Sequence, residues 1–246
     1  MNLPLLAANW KMYKTRAEAR EFCQTLIRDV PARHLEHVLI APAFPLLGMV
    51  VDAIRSSPIQ VAAQNCHGET QGAFTGEVSV RMLQDAGVAW TLLGHSERRH
   101  IFGETEALLS KRAEGTLRQG LKVIYCVGEK LDERKAGATE SVLVRQLESL
   151  AKLRDLWHNL MVAYEPVWAI GTGVVAGVDQ IDAAHACIQT ACPGLPILYG
   201  GSVNPENIGE IMGLERVSGA LIGVASLDAG KYRAMLATAL KVKGVQ

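Results

Sequence analysis

Leu160-Met161-Val162-Ala163-Tyr164-Glu165-Pro166-Val167-Trp168-Ala169-Ile170-Gly171-Thr172-Gly173 holds the unit from which the chain is built. An apolar run of strand length stops at a carboxylate. A stiff Pro166-Val167-Trp168 follows, then a small-residue tip with two glycines. Stiff residues fix where a loop pivots, and glycines let backbone N–H groups approach an anion. Taken alone, a Glu-Pro pair after a strand is an ordinary surface feature. Its weight comes from the rest of the chain.

Similar apolar runs recur at 3–8, 37–41, 59–64, 90–94, 122–127, 160–164, 196–199 and 219–223. Between them lie segments with apolar residues at helical spacing, among them 15–29, 105–119, 138–152, 180–191 and 204–212. Gly and Pro mark most junctions. No linker, charge block or low-complexity stretch divides the chain, which predicts a single domain over residues 1–246. Eight unbroken strand–helix alternations predict an α/β fold, a closed parallel (β/α)8 barrel, with an open doubly wound sheet as the competitor. The runs are continuously apolar, as strands covered on both faces must be.

The residues just after each run carry the chemistry. Asn9 and Lys11 come after the first, Asn65 after the third, His95 and Glu97 after the fourth, and Glu129 after the fifth. Glu165 ends the sixth, Gly200-Gly201-Ser202 come after the seventh, and Gly223 closes the eighth. In a parallel barrel these points share one rim, the face where active sites lie. Any one of them is a plain strand end; Lys, His, Glu and three glycine turns on one rim are harder to dismiss.

Composition excludes several classes. Lys and Arg balance Asp and Glu at 25 each, so no basic surface invites nucleic acid or an anionic membrane. An anion must be held by local geometry. Five scattered cysteines, with no CxxC pair, predict free thiols in a reducing compartment and no metal site. Nothing apolar is long enough to span a bilayer, and the N-terminus lacks a signal-peptide pattern, so a cytoplasmic location is expected. No GxGxxG follows the first strand and no P-loop is present, which argues against a nucleotide cofactor.

In Gly94-His95-Ser96-Glu97-Arg98-Arg99, an imidazole follows a strand directly. If the turn opens a helix, its positive end lowers the His95 pKa and favours a neutral ring that donates to a substrate carbonyl. Arg98 and Arg99 read as surface salt-bridge partners. Glu97 is placed to pair with Lys11 across the mouth. The turns at Gly171, Gly200 and Gly223 suit one small, doubly charged ligand held on backbone N–H groups. The loop from Gln64 to Glu77 carries three glycines around Phe74; an aromatic there suggests a protein partner, or else a loop packed on its own domain. Cys126 reads as a small residue packed under the mouth.

With Ala8-Asn9-Trp10-Lys11-Met12, Ala63-Gln64-Asn65, Gly72-Ala73-Phe74-Thr75-Gly76-Glu77, Gly94-His95-Ser96-Glu97-Arg98-Arg99, Cys126-Val127-Gly128-Glu129, 164–173, Tyr199-Gly200-Gly201-Ser202-Val203 and Ala225-Ser226-Leu227, the sequence resembles the triosephosphate isomerases almost end to end. The resemblance implies cofactor-free interconversion of dihydroxyacetone phosphate and D-glyceraldehyde 3-phosphate, a step of glycolysis and gluconeogenesis. It implies Glu165 as the base, neutral His95 as the electrophile, Lys11 and Asn9 stabilising developing negative charge, and Glu97 organising Lys11 and His95. Backbone N–H groups of Gly171, Ser202, Gly223 and Val224 would hold the phosphate under a closing lid, with Tyr199 and Ser202 steadying the closed state. It further implies a homodimer in which the loop bearing Thr75 inserts beside the partner's Asn9 and Lys11.

The chain departs from the family pattern at four places. Gly223-Val224 replaces a Gly-Gly pair, Val174-Val175-Ala176 replaces Lys-Thr-Ala, Tyr13 replaces a small polar residue, and Ser218 stands where Asp is common. A different phosphate-binding barrel, such as a phosphoribosyl isomerase, explains the glycine turns but neither Asn9 and Lys11 nor the His95–Glu165 pairing. A weakly active paralogue retained for binding is favoured only by Val224.

Overall fold

In the computed structural model, which describes residues 3–171 and 174–245, eight strands pair in parallel and in sequence order. They are β1 (Leu5–Asn9), β2 (Val38–Ala41), β3 (Gln60–Ala63), β4 (Trp90–Leu93), β5 (Lys122–Val127), β6 (Leu160–Tyr164), β7 (Ile197–Tyr199) and β8 (Gly219–Ile222). β8 returns to β1 through Leu5↔Gly219 to Ala8↔Ile222, so the sheet is closed and the open-sheet alternative falls. Each expected run is a strand, with ends shifted by at most two residues. Asn9 is the last strand residue and not the first of the loop, because it still pairs with Ala41 of β2.

Helices cover the outside: α1 (Arg16–Asp29), α2 (Leu47–Ile54), α3 (Val80–Asp85), α4 (Ser96–His100), α5 (Glu106–Arg118), α6 (Leu131–Lys135), α7 (Thr139–Ala151), α8 (Val178–Ala191), α9 (Ile208–Gly213) and α10 (Ala229–Val242). Local chemistry sets their starts. Thr15 caps α1, its hydroxyl taking the Glu18 N–H while Glu18 reaches back to the Thr15 N–H at 2.6 Å. Ser79, Thr105 and Asp228 cap α3, α5 and α10 with their side chains.

Period-two alternation along the strands divides the core into two. Leu6, Ala8, Ile40, Val123, Tyr125, Val162, Tyr164 and Ile222 face the helix layer. Leu5, Ala7, Leu39, Ala41, Trp90, Leu92, Ile124, Cys126, Met161, Ala163, Leu198 and Leu221 fill the barrel interior. Burying each Leu, Ile or Val contributes about 1.5–3 kcal/mol. The interior is therefore a packed plug, and it fixes the floor on which the rim residues stand.

Candidate active site

The same alternation places the rim side chains. After Leu5 and Ala7 the next inward residue is Asn9; after Met161 and Ala163 it is Glu165. On β4, β5, β7 and β8 the next inward residue is Gly94, Gly128, Gly200 or Gly223. Gly200 and Gly223 line a hollow at the mouth over the filled barrel, whereas a Cβ at Gly94 would meet the Arg99 guanidinium and one at Gly128 the Glu165 carbonyl. The hollow is a cavity of about 150 Å³ lined by Asn9, Lys11, His95, Glu165, Ile170, Gly171, Gly200 to Val203, Leu221 and Gly223 to Ala225. That size takes a small molecule and not a polymer. Of the residues expected at the mouth, Asn9, Lys11, His95, Glu165, Gly171, Ser202, Gly223 and Val224 line it; Glu97 stands behind Lys11, and Asn65, Glu129 and Tyr199 are not part of the lining.

Glu165 is nearly fully buried. Its backbone N–H donates to the Val127 carbonyl at 2.7 Å, carrying the β5–β6 ladder one residue further. Close approach explains two of the glycines. A Cβ at Gly128 would lie 1.7 Å from the Glu165 carbonyl oxygen, and one at Gly200 would lie 2.9 Å from its Cγ. Oε2 accepts the Ser96 N–H at 2.8 Å. Oε1 lies 3.0 Å from His95 Nε2, but out of line for a hydrogen bond, so this buried oxygen has no aligned donor among the described residues. Burial pushes the Glu165 pKa up, yet His95, the Ser96 N–H and Lys11 outweigh it and hold the carboxyl below its ordinary value.

His95 caps α4, as its position in the sequence suggests, and its Nδ1 accepts the Glu97 N–H at 3.3 Å. An accepting Nδ1 puts the ring proton on Nε2, which faces Glu165. The expected lowering of the His95 pKa is not what the structure gives. Burial lowers it, but the charges of Glu165 and Glu97 raise it more, so the net direction is upward. The reason is magnitude: a full charge 3.0 Å away outweighs the roughly half-charge at a helix end, and α4 is a single turn.

Lys11 is one of two non-glycine described residues with positive φ, at 50°. That conformation costs about 1–2 kcal/mol for an L-residue. Three hydrogen bonds maintain it: its N–H to Asn9 Oδ1 at 3.0 Å, its carbonyl from Gln64 Nε2 at 2.8 Å, and its Nζ to Glu97 Oε1 at 2.7 Å. The Lys11–Glu97 pair expected across the mouth is thus formed. Gln64 also donates to the Ala41 carbonyl at 2.9 Å, tying the turn to β2.

The opposite wall is backbone. Ser226 Oγ donates to the Gly223 carbonyl at 2.7 Å and clamps the turn that begins at Val224. Val224 has negative φ, and 64% of it is exposed, so the valine costs no left-handed strain and its side chain finds room outward. Ser202 Oγ donates to the Ala169 carbonyl at 2.5 Å, joining this wall to the segment that follows β6. In the same segment, Trp168 Nε1 donates to Glu129 Oε1 at 2.9 Å. Glu129, fully buried, also accepts from Tyr164 Oη and Arg134 at 3.1 Å. Thr172 and Gly173 lie outside the described residues; Val174 and Val175 are about half exposed. Among the described residues no three His, Cys, Asp or Glu side chains are grouped to hold a metal ion.

Three residues carry more than their sequence context reveals. Glu129 belongs to the rim by its position, but its hinge contacts emerge only in the fold, as does the hold of the Gln64 side chain on Lys11. Arg99, expected as a surface partner, is instead buried and donates to backbone carbonyls. The one signal for Arg99 in the sequence is its place five residues after a glycine that leaves a strand.

A closed parallel barrel with titratable side chains and glycine turns collected at the carboxyl ends of its strands is the build of a (β/α)8-barrel enzyme. The triosephosphate isomerase family model matches residues 4–239. The triosephosphate isomerase of Geotalea uraniireducens is 42% identical over 243 residues, covering 94% of this chain and 97% of the relative. That of Chlorobaculum tepidum is 44% identical over 245 residues, covering 95% and 100%. That of Aquifex aeolicus is 42% identical over 233 residues, covering 91% and 94%. The chain belongs to the triosephosphate isomerase family and is an isomerase.

Proposed function

We propose that the chain interconverts dihydroxyacetone phosphate and D-glyceraldehyde 3-phosphate through an enediolate, with Glu165 as base and neutral His95 as electrophile. The observation that carries this reading is the facing pair in the cavity, Glu165 Oε1 and His95 Nε2, 3.0 Å apart, with Oε1 lacking an aligned donor. A carbonyl compound entering between them meets an acceptor for the proton on the carbon next to the carbonyl and a donor for the carbonyl oxygen. Glu165 removes that proton from one carbon and returns it to its neighbour. His95 moves a proton between the two oxygens, so nothing is gained or lost. A substrate between the pair sets the Glu165 charge further from the imidazole and weakens what raises it, and the Nδ1 bond to the Glu97 N–H favours the neutral ring.

Lys11 and Asn9 stabilise the negative charge that develops on the oxygens, and Glu97 holds Lys11 in reach. Backbone N–H groups of Gly171, Ser202, Gly223 and Val224 bind the phosphate, a role supported by the place of all four residues on the cavity wall. The lid excludes water and protects the enediolate from losing phosphate. The reaction draws on the chain's own groups without a cofactor. Residues 1–246 act as one barrel domain, a reading supported by the pairing of β8 with β1. Five free cysteines support a reducing, cytoplasmic setting; no described helix is long and apolar enough to cross a membrane.

The chain also acts as a homodimer through the loop from Gln64 to Glu77. Phe74, 45% exposed with its ring 4.1 Å from that of His67, lines a shallow cleft with Met82, itself 58% exposed. Large apolar groups held outward in this way mark a contact surface.

In an assay coupled to consumption of the product, Glu165→Gln is expected to lose at least ~10³-fold in kcat with its circular dichroism unchanged. Turnover near that of the parent enzyme would show that Glu165 is not the base.

A further inference from the structure

The guanidinium of Arg99 is buried directly behind His95, its side chain 5% exposed. Nε donates to the Gly94 carbonyl at 2.7 Å and is 3.2 Å from the Cys126 carbonyl; Nη2 donates to that same carbonyl at 2.9 Å. Nη1 donates to Glu106 at 2.7 Å, and the group lies over the Tyr125 ring at 5.5 Å. These contacts fall where the sheet gives out. The last ladder pair between β4 and β5 is Leu93↔Tyr125. One step further, Gly94 turns out of the strand at φ +71, and the guanidinium takes over from the missing ladder. Gly94 also makes the room: a Cβ there would lie 2.8 Å from Nη2 and 3.1 Å from the Cys126 carbonyl.

Both bridged carbonyls lead to the reacting pair. Gly94 is the residue before His95, and its carbonyl belongs to the peptide that carries the His95 N–H. Cys126 is fully buried in the barrel interior below the rim and pairs with Ala163, two residues before Glu165. A planar fork with fixed donor directions locks two acceptors at a set separation; an ammonium group does not.

We propose that Arg99 is a positioning residue for the isomerase reaction, its guanidinium bridging the Gly94 and Cys126 carbonyls and so setting where His95 stands relative to Glu165. The proposal rests on the reading of His95 and Glu165 as the reacting pair.

The test is Arg99→Lys, which keeps the charge and removes the fork. With glyceraldehyde 3-phosphate as substrate, kcat is expected to fall between ~10- and ~100-fold, the cost of a misplaced reacting group. KM should stay within about twofold, because the phosphate turns lie on the other wall. A crystal structure of the variant should show the His95 Nε2–Glu165 Oε1 separation changed from that of the parent. Arg99→Ala should recover part of its kcat on adding millimolar guanidinium, which a general loss of stability would not allow. If Arg99→Lys does not fold, Glu106→Gln loosens the outer anchor alone and should lower kcat in the same direction by less. An unchanged His95–Glu165 separation in the folded variant overturns the proposal, whatever its kcat. A changed separation with parent-level kcat leaves the placement standing and overturns instead the roles given to His95 and Glu165.

Discussion

At Glu165 full burial works against the carboxylate, and His95, the Ser96 N–H and Lys11 work for it, with a net lowering of its pKa from 4.5. At His95 burial works against the imidazolium, and Glu165 and Glu97 raise its pKa from 6.5. The two shifts bear differently on stability. A raised His95 contributes fully below its unfolded value of 6.5 and loses its share as pH rises through the folded value. A lowered Glu165 contributes above 4.5 and loses its share as pH falls through its folded value. Both shares coexist between those limits. A double-mutant cycle over His95→Gln and Glu165→Gln, read by urea unfolding, should therefore give a larger coupling at about pH 5.5 than at about pH 8.5. Equal coupling at both would show that the pair is not linked in this sense. The residue identities were legible in the sequence. The direction of the His95 shift was not, because it depends on the 3.0 Å approach of a side chain 70 residues away.

Among the elements, the strand ends and the turns after them divide the work. β1 and β6 deliver Asn9 and Glu165 inward, while the glycine ends of β7 and β8 make a wall of backbone. Val224 bears on whether that wall needs two glycines. Its φ is negative and the turn is already clamped by Ser226, so a second glycine adds freedom and not fit. Val224→Gly is expected to destabilise the fold by about 0.4–1 kcal/mol, acting through the unfolded chain. KM for glyceraldehyde 3-phosphate should shift by no more than about threefold, the equivalent of ~0.7 kcal/mol. A tenfold improvement in KM would mean that the valine side chain obstructs the anion. Helices were less legible than strands. α2 reads Leu47-Gly48-Met49-Val50-Val51-Asp52-Ala53-Ile54, which is apolar enough to pass for a buried strand. α3, α4 and α6 have six residues or fewer, too short for helical spacing to repeat.

For the whole molecule, closure of the sheet brings residues from both ends of the chain to one rim: Asn9 and Lys11 stand in the same cavity as Gly223 and Val224. The proposed dimer belongs to this scale. In sedimentation equilibrium at micromolar concentration the chain should run at twice its own mass, and Phe74→Glu should shift it to the single-chain mass. A parent protein that sediments as a monomer would exclude the dimer. By itself the sequence determined the eight strand–helix units and the residue types set at the strand ends, because these depend on local periodicity and on what backbone each residue tolerates. Only the tertiary structure decided that Gln64 holds Lys11 in its left-handed turn, that Arg99 lies buried behind His95, and that Glu165 raises the imidazole. Each of these rests on a contact across neighbouring or distant strands, and such contacts acquire a distance only when the barrel closes.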